Sequence, residues 1–409
     1  MKILKVVMAG FIAIAAISSA SAQTVIHITG STAYRAAVYQ AISDTLASGF
    51  VFGYSGTTAS KASQAIYTGT TKTGSISVII KTSFSGSVGG ISTLAANLTI
   101  GPGGSYTGGG GWLVDSTPQS VAGTPNAPAN YDPAITADVA MADCFQASAP
   151  AIYRTPKLTD NIIGVVPFVF MATKGGTPIK GSVTTSTSLA SEQVKDIFVE
   201  ANLKLHELSG NSGDTEAVLG VGRDEDSGTR IQALACSAIP VETHLKQQQP
   251  VNDPTNTMIT GANLWPVVTL NGIMYPTGDS GFSSGGSLAT EINLPHASSY
   301  STWFVSYLGL NDAATVTHGI QLEFNNVAYS AANVEGPGAS GFVAQYKFWG
   351  YEHLFYRTTF GGNGLTVANQ LAADLTNTSA SVSGILLSSM HVSRDTDGGA
   401  VEKGGKPGN

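Results

Sequence analysis

Charge is scarce in this chain. Asp, Glu, Lys and Arg make up 11% of 409 residues, and 27 of those side chains are acidic against 20 basic. An acidic balance of this kind excludes nucleic acid and anionic membrane surfaces as main partners, since both repel a net negative surface. It leaves a small anionic ligand open, because local dipoles and one arginine outweigh a distant, screened charge. Cysteine is rarer still, with only Cys144 and Cys236. Nothing in their spacing fixes a geometry, so they read either as a disulfide or as two small buried hydrophobes. The seven histidines form no i, i+4 pair and have no cysteine at ligand spacing, so no metal and no cofactor is expected. A Gly-Lys-Ser/Thr phosphate loop is also missing, which excludes a transport ATPase. Beyond residue 22 no stretch is long and apolar enough to span a bilayer.

The first 22 residues read as a signal peptide. Lys2 and Lys5 precede an apolar run from Val6 to Ile17, and Ala20-Ser21-Ala22 supplies a small-x-small cleavage pattern before Gln23. No cysteine follows the run, so the expected product is periplasmic or secreted without a lipid anchor. With 48 glycines and little charge, the rest suits a loop-rich exported protein of two or three domains rather than a disordered one.

Three strand-to-helix turns recur along the chain. Val25 to Ile28 reads as a strand, and Thr29-Gly30-Ser31-Thr32 opens a helix whose stripe is Val38, Ala41, Ile42 and Leu46. Ser75 to Ile80 reads as a second strand, followed by a Gly/Ser turn and a short helix to Ala96. Ala217 to Val221 reads as a third, leading through Gly222-Arg223-Asp224-Glu225-Asp226-Ser227-Gly228-Thr229-Arg230 into a helix carrying Ile231, Leu234 and Ala235. At such a turn the first helical N–H groups lack internal partners and the dipole points its positive end outward. Gly228 permits close approach, Ser227 and Thr229 offer hydroxyls, and Arg223 offers a planar fork for an oxyanion. The plainer alternative is a Ser or Asp helix cap with Arg223 paired to neighbouring acids.

Other segments are expected as follows. Gly101 to Asn130 reads as a surface insertion with no core of its own. Ala137 to Asp143 is a short strand ending in a carboxylate, and Ile162 to Met171 a long apolar strand entering a second domain. Ser191 to Phe198 is an amphipathic helix with Val194, Ile197 and Phe198 inward. The aromatic segments Ser301–Tyr307 and Phe348–Tyr356 read as two adjacent buried strands. Gln370 to Leu387 has helical spacing, and residues 396–409 read as a disordered tail. Strands alternating with helices imply an α/β fold, with ligands outside the carboxyl ends of the strands.

Two serine-nucleophile patterns compete with this reading. Gly281-Phe282-Ser283-Ser284-Gly285 fits G-x-S-x-G, Gly278-Asp279-Ser280-Gly281 resembles a trypsin-like serine turn, and Asp312 and His353 follow in hydrolase order. Gly286 to Asn293 reads as short and strand-like, however, where an elbow serine needs a helix. The expectation is that the protein is not an enzyme.

These residues resemble the periplasmic phosphate-binding proteins of bacterial ABC uptake systems. Thr29-Gly30-Ser31-Thr32-Ala33-Tyr34 is similar to the family's first turn, Gly86 to Ile91 to its second, and Ala142-Asp143 to a Ser-Asp pair. Arg223-x-x-x-Ser227-Gly228-Thr229 is similar to its most specific motif. The resemblance implies an α/β, two-lobed periplasmic-binding-protein fold (type 2), each lobe a mixed sheet flanked by helices, with a hinge. Residues 23–161 and 341–395 would form one lobe and 162–340 the other. It implies a monomer that captures phosphate, or a similar protonated oxyanion, for an ABC permease. It further implies that Ser31, Thr32, Ala33, Ser87, Asp143, Arg223, Glu225, Ser227, Gly228 and Thr229 line the site. The first turn is one residue shorter than the family pattern, so it stays open which of Ser31, Thr32 and Ala33 meets the ligand. Glu225 either orients Arg223 through a hydrogen bond or is a solvated acid. A carboxylate facing an oxyanion is repulsive unless one of them holds a proton, so Asp143 would select phosphate over sulfate. The alternative function is an envelope or surface-associated protein that reuses the fold with an altered or empty cleft.

Overall fold

The computed structural model describes residues 23–174, 183–337 and 345–404. The expected signal peptide and the last five residues of the expected tail lie outside the described residues. In chain order the main elements are β1 (Thr24–Gly30), α1 (Arg35–Thr45), β2 (Val51–Ser55), β3 (Gln64–Thr70), β4 (Ser77–Phe84), α2 (Ser87–Ala95), β5 (Val139–Ala142) and β6 (Thr159–Thr173). There follow α3 (Ser191–Lys195), β7 (Ala217–Gly220), α4 (Gly228–Cys236), β8 (Gln248–Asn252), β9 (Ile259–Leu264), β10 (Val268–Leu270) and β11 (Ile273–Tyr275). The last are α5 (Gly285–Ile292), β12 (Thr302–Gly309), β13 (Trp349–Tyr356) and α6 (Gly362–Asn377).

One mixed sheet runs through the molecule in the order β7-β12-β6-β13-β5-β1-β4-β3-β2, extended by short strands at both ends. This is the expected α/β class, a large mixed sheet flanked by helices. Strand β6 belongs to both halves of it. Its first part pairs antiparallel with β13 from Thr159 to Pro167, and its last part with β12 from Phe168 to Thr173. The near-continuous apolar run Ile163–Ala172 explains the position, since a strand covered on both faces needs no polar alternation. The two aromatic strands are both buried as expected, but β6 lies between them, so they are not neighbours. Phe170 of β6 stacks on Phe348 at 4.5 Å.

The parallel set positions the site. β1 pairs parallel with both β4 and β5, so the turns after Gly30, Phe84 and Ala142 emerge on one edge of the sheet. α1 buries Ala37, Val38, Ala41 and Ile42 against α6. Val194, Ile197 and Phe198 are buried as expected, although the helix widens after Lys195 into an i→i+5 turn.

Four expectations are corrected. The Gly101–Asn130 segment has core residues of its own: Trp112 and Leu113 are fully buried, Tyr106 nearly so, and the Trp112 indole donates to Ile135 O at 3.3 Å. α6 spans Gly362–Asn377 rather than starting at Gln370, because Gly364, Val367, Ala368, Leu371 and Leu375 supply the buried stripe. Residues 286–292 are helical, not strand-like, since Leu288, Ala289 and Ile292 form a buried face that outweighs the poor helix propensity of Gly285-Gly286. Residues 396–404 are anchored, with Asp397 accepting from the Phe145 N–H at 2.9 Å and Glu402–Lys403 pairing with Val392–Ser393. Cys144 and Cys236 are free thiols; Cys144 is buried, while Cys236 is half-buried, its sulfur between Gln232, Trp349 O and Arg394.

Candidate functional site

Each turn needs glycine where another element presses on it. Gly30 has φ +109, and a Cβ there would lie 1.9 Å from Met141 O. Only glycine lets β1 turn away beside β5. A Cβ on Gly228 would lie 1.7 Å from Asp143 Oδ1, so the first turn of α4 can sit directly on that carboxylate. Ser31, Thr32, Ser87, Asp143, Arg223, Ser227 and Thr229 are thereby brought to one buried locus, each no more than 5% exposed.

Asp143 is its centre. Oδ1 accepts the Ser87 hydroxyl at 2.5 Å and Oδ2 the Thr229 hydroxyl at 3.2 Å. Burial pushes its pKa up, opposed by the Ser87 and Thr229 hydroxyls and the Arg223 charge, with the balance upward. Ser227 accepts the Arg230 N–H at 3.2 Å and so caps α4, while the N–H groups of the first turn have no intrahelical partner. The serine thus caps the helix, as in the plainer reading, but among the described residues Arg223 is not paired with the neighbouring acids.

Arg223 is locked from behind. Its Nε donates to Phe282 O at 2.9 Å, and its Nη2 to Ser283 O at 3.0 Å and to Thr32 Oγ1 at 3.3 Å. Its backbone N–H donates to Tyr307 Oη at 3.1 Å, and Tyr307 in turn donates to Gln247 Oε1 at 2.8 Å. Gln247 closes the frame by donating to Arg223 O and Ser280 O.

Glu225 does not hold Arg223, and it is not a solvated acid either. It is 6% exposed and accepts the Ser280 hydroxyl at 2.8 Å. The arginine beside it is Arg230, which pairs with Asp279, whose other oxygen meets His244 Nδ1 at 2.6 Å. Thus the Gly278-Asp279-Ser280-Gly281 motif, read as a protease turn, is the seat for Arg230 and Glu225. Asp226 is buried and Asp224 half-buried, and desolvation raises the pKa of both, Asp226 to about 7. Asp226 accepts the Tyr106 hydroxyl.

Tyr106 belongs to a strap that crosses from the β4 side to the β10–β11 hairpin. Thr107 N–H donates to Asn271 Oδ1 at 2.8 Å, and Asn271 N–H donates back to Thr107 Oγ1 at 2.8 Å. Asn271 and Gly272 both have positive φ, the requirement of a two-residue hairpin tip. Sequence reasoning missed Tyr106, Gln247, Ser280 and Tyr307. Only the Asn-Gly tip and the Asp-Ser motif were legible, and neither names its partner.

The hydrolase constellation is not assembled. Ser284 caps α5 by accepting the Ser287 N–H at 3.0 Å, and Ser283 is exposed. Asp312 lies under Gly285, but His353 is buried on β13 with its Nδ1 on Asp160 at 2.7 Å. Among the described residues no group of three or more His, Cys, Asp or Glu is arranged to hold a metal, and no helix is long and apolar enough to cross a membrane. A cleft of about 330 Å³ lined by Thr32, Ala33, Arg35, Lys61, Asn311 and Asp312 runs up to the Arg223 side of the locus.

No protein-family model matches the chain, and no curated protein matches it. Among solved structures it is similar to a putative phosphate ABC transporter substrate-binding protein with bound phosphate from Clostridium perfringens. The identity is 13% over 89% of this chain and 99% of that one, with a TM-score of 0.46. An ABC-type phosphate transport receptor from Vibrio cholerae is 12% identical over 88% and 96%, with a TM-score of 0.43. A high affinity periplasmic phosphate-binding protein bound with phosphate is 14% identical over 88% and 90%, with a TM-score of 0.46. Likeness at this level says nothing about what this chain binds, which must be argued from the locus itself.

Proposed function

We propose that the chain is an exported, non-enzymatic substrate-binding protein that captures phosphate, or a similar protonated oxyanion, for an ABC permease. The observation that carries the reading is Asp143, a buried carboxylate at the positive end of α4, flanked by the Ser87 and Thr229 hydroxyls and the Arg223 guanidinium. Helix amides, hydroxyls and a guanidinium favour an oxyanion, whereas the carboxylate tolerates only one that still carries a hydrogen. Phosphate does at neutral pH and sulfate does not. Capture would come from two lobes, residues 23–161 with 341–395 and residues 162–340, hinging on β6 and β13.

The test is calorimetric titration of protein stripped of ligand by unfolding and refolding, with phosphate and separately with sulfate. Micromolar or tighter phosphate binding and no sulfate response supports the reading. One observation favours the second reading, an envelope-associated protein with an empty cleft: Arg223 spends Nε and Nη2 on the carbonyls of Phe282 and Ser283. Silence with both anions from folded protein would select it.

A further inference from the structure

Behind the first turn lies a cluster of buried polar atoms of which only Ser31 belongs to the proposed oxyanion site. Glu352 sits on β13, fully buried, and both of its carboxyl oxygens lack a hydrogen-bond partner among the described residues. So do the hydroxyls of Ser31, 1% exposed, and Tyr34, fully buried. The backbone collects them. β13 pairs antiparallel with β5 so that His353 faces Ala142, which sets Glu352 beside Asp143. The register of β13 against β6 slips between Glu352 and His353, and such a bulge re-aims the side chains next to it. Opposite Glu352 is Gly164, where a Cβ would stand 2.3 Å from the Tyr34 hydroxyl, so glycine leaves Tyr34 its place.

We infer that Glu352 is a positioning residue for the oxyanion site: as a neutral acid it donates its proton to Ser31 Oγ and turns the Ser31 O–H outward to the ligand. This rests on the oxyanion reading above. Ser31 has little else to offer, since its N–H is committed to Met141 O at 2.8 Å. The Tyr34 phenol stands beside the acid, its place left open by Gly164. An ionised carboxylate at this place would be a buried, uncompensated charge. The groups facing it are Asp143 after β5, the Tyr34 phenol before α1 and the Cys144 thiol, none of them a cation. Burial first, and then the neighbouring Asp143, hold the Glu352 pKa well above the ordinary carboxylate range.

The consequence is a switch in donor direction. Once Glu352 ionises, Ser31 and Tyr34 both donate to it, the Ser31 hydrogen is withdrawn, and a second negative charge stands beside Asp143. Oxyanion affinity is then lower wherever Glu352 is ionised.

The experiment is calorimetric titration with inorganic phosphate from about pH 7 to about pH 10, on wild type, Glu352→Gln and Ser31→Ala, each checked for fold by circular dichroism. The amide of Glu352→Gln donates to Ser31 at every pH but cannot ionise. Wild type is expected to lose tenfold or more in affinity across the range, Glu352→Gln to stay within about threefold, and Ser31→Ala to be weak throughout and flat. Titration of Asp143 is common to wild type and Glu352→Gln, so their difference isolates Glu352. A Glu352→Gln profile that falls in parallel with wild type overturns the inference while leaving oxyanion capture standing. Wild type that binds no phosphate at any pH overturns the capture reading, and the inference falls with it. Infrared spectroscopy of the ligand-free protein gives an independent check, since a protonated carboxyl band must be present in wild type and reduced in Glu352→Gln. Its absence overturns the neutral acid.

Discussion

Two turns in this protein begin alike and end differently. Ser227 and Ser284 each cap a short helix by accepting the N–H three residues on, at 3.2 and 3.0 Å. Around Ser227 the chain has packed Arg223, Arg230 and three acids, and Asp143 faces the helix end. Around Ser284 there is a serine-rich, partly open surface with Asp312 beneath it. Capping is therefore common ground, and the difference lies in what the rest of the fold aims at the capped end. The two turns also cooperate, because the carbonyls of Phe282 and Ser283 on the second hold the guanidinium of the first.

The largest expected effect separates the turns at once. Arg223→Ala should weaken phosphate binding by about 3 kcal/mol, on the order of 100-fold, because Asp143 loses its nearest cation, while circular dichroism stays unchanged. Unaltered affinity by calorimetry would remove the central residue of the proposed site.

Asp143→Asn sharpens the comparison by swapping an acceptor for a group that also donates. Phosphate affinity should fall about tenfold and sulfate, silent before, should bind. Competition between the two anions measures the exchange, and continued rejection of sulfate would show that Asp143 is not the filter.

The next effect is on stability. Folded Asp226 keeps its proton to about pH 7, whereas the unfolded chain releases it near the ordinary value of about 3.9. Between those values the folded state binds more protons, so its stability falls as pH rises, by at most about 1.4 kcal/mol per unit from this group. Asp226→Asn should flatten part of that slope. Urea midpoints at about pH 4 and about pH 8 read it, and equal slopes in variant and wild type would refute it.

Smallest is the caps themselves. Ser284→Ala should cost about 1 kcal/mol of stability with no change in phosphate affinity, and Ser227→Ala a similar cap energy together with weaker binding. Binding loss in the Ser284 variant would break the distinction between the two turns.

How much of this was legible before folding depends on the range of the signal. Val38, Ala41 and Ile42, or Ile231 and Leu234, mark helices because their spacing is local, and the small turn residues mark where those helices begin. Asp143 was legible as a strand-terminal carboxylate, but its partners Ser87 and Thr229 lie 56 and 86 residues away in sequence. The Glu225–Ser280 and Tyr106–Asp226 bonds have no local trace at all. Gly285-Gly286 misled because propensity spoke against a helix that Leu288 and Ile292 enforce by burial. Glu352 lies beside His353 in an aromatic strand, and only the register against Gly164 shows that it is enclosed.

Strand β6 has a consequence for how the chain is made. It leaves the ribosome as an apolar ribbon whose partners, β12 at Thr302–Gly309 and β13 at Trp349–Tyr356, are synthesised far later. β13 also stands between β6 and β5, so the earlier half of the sheet stays open until residue 356 has emerged. Pairings of such long sequence separation form slowly. The middle of the sheet is thus completed last, and the two halves join only when the whole of β13 is in place.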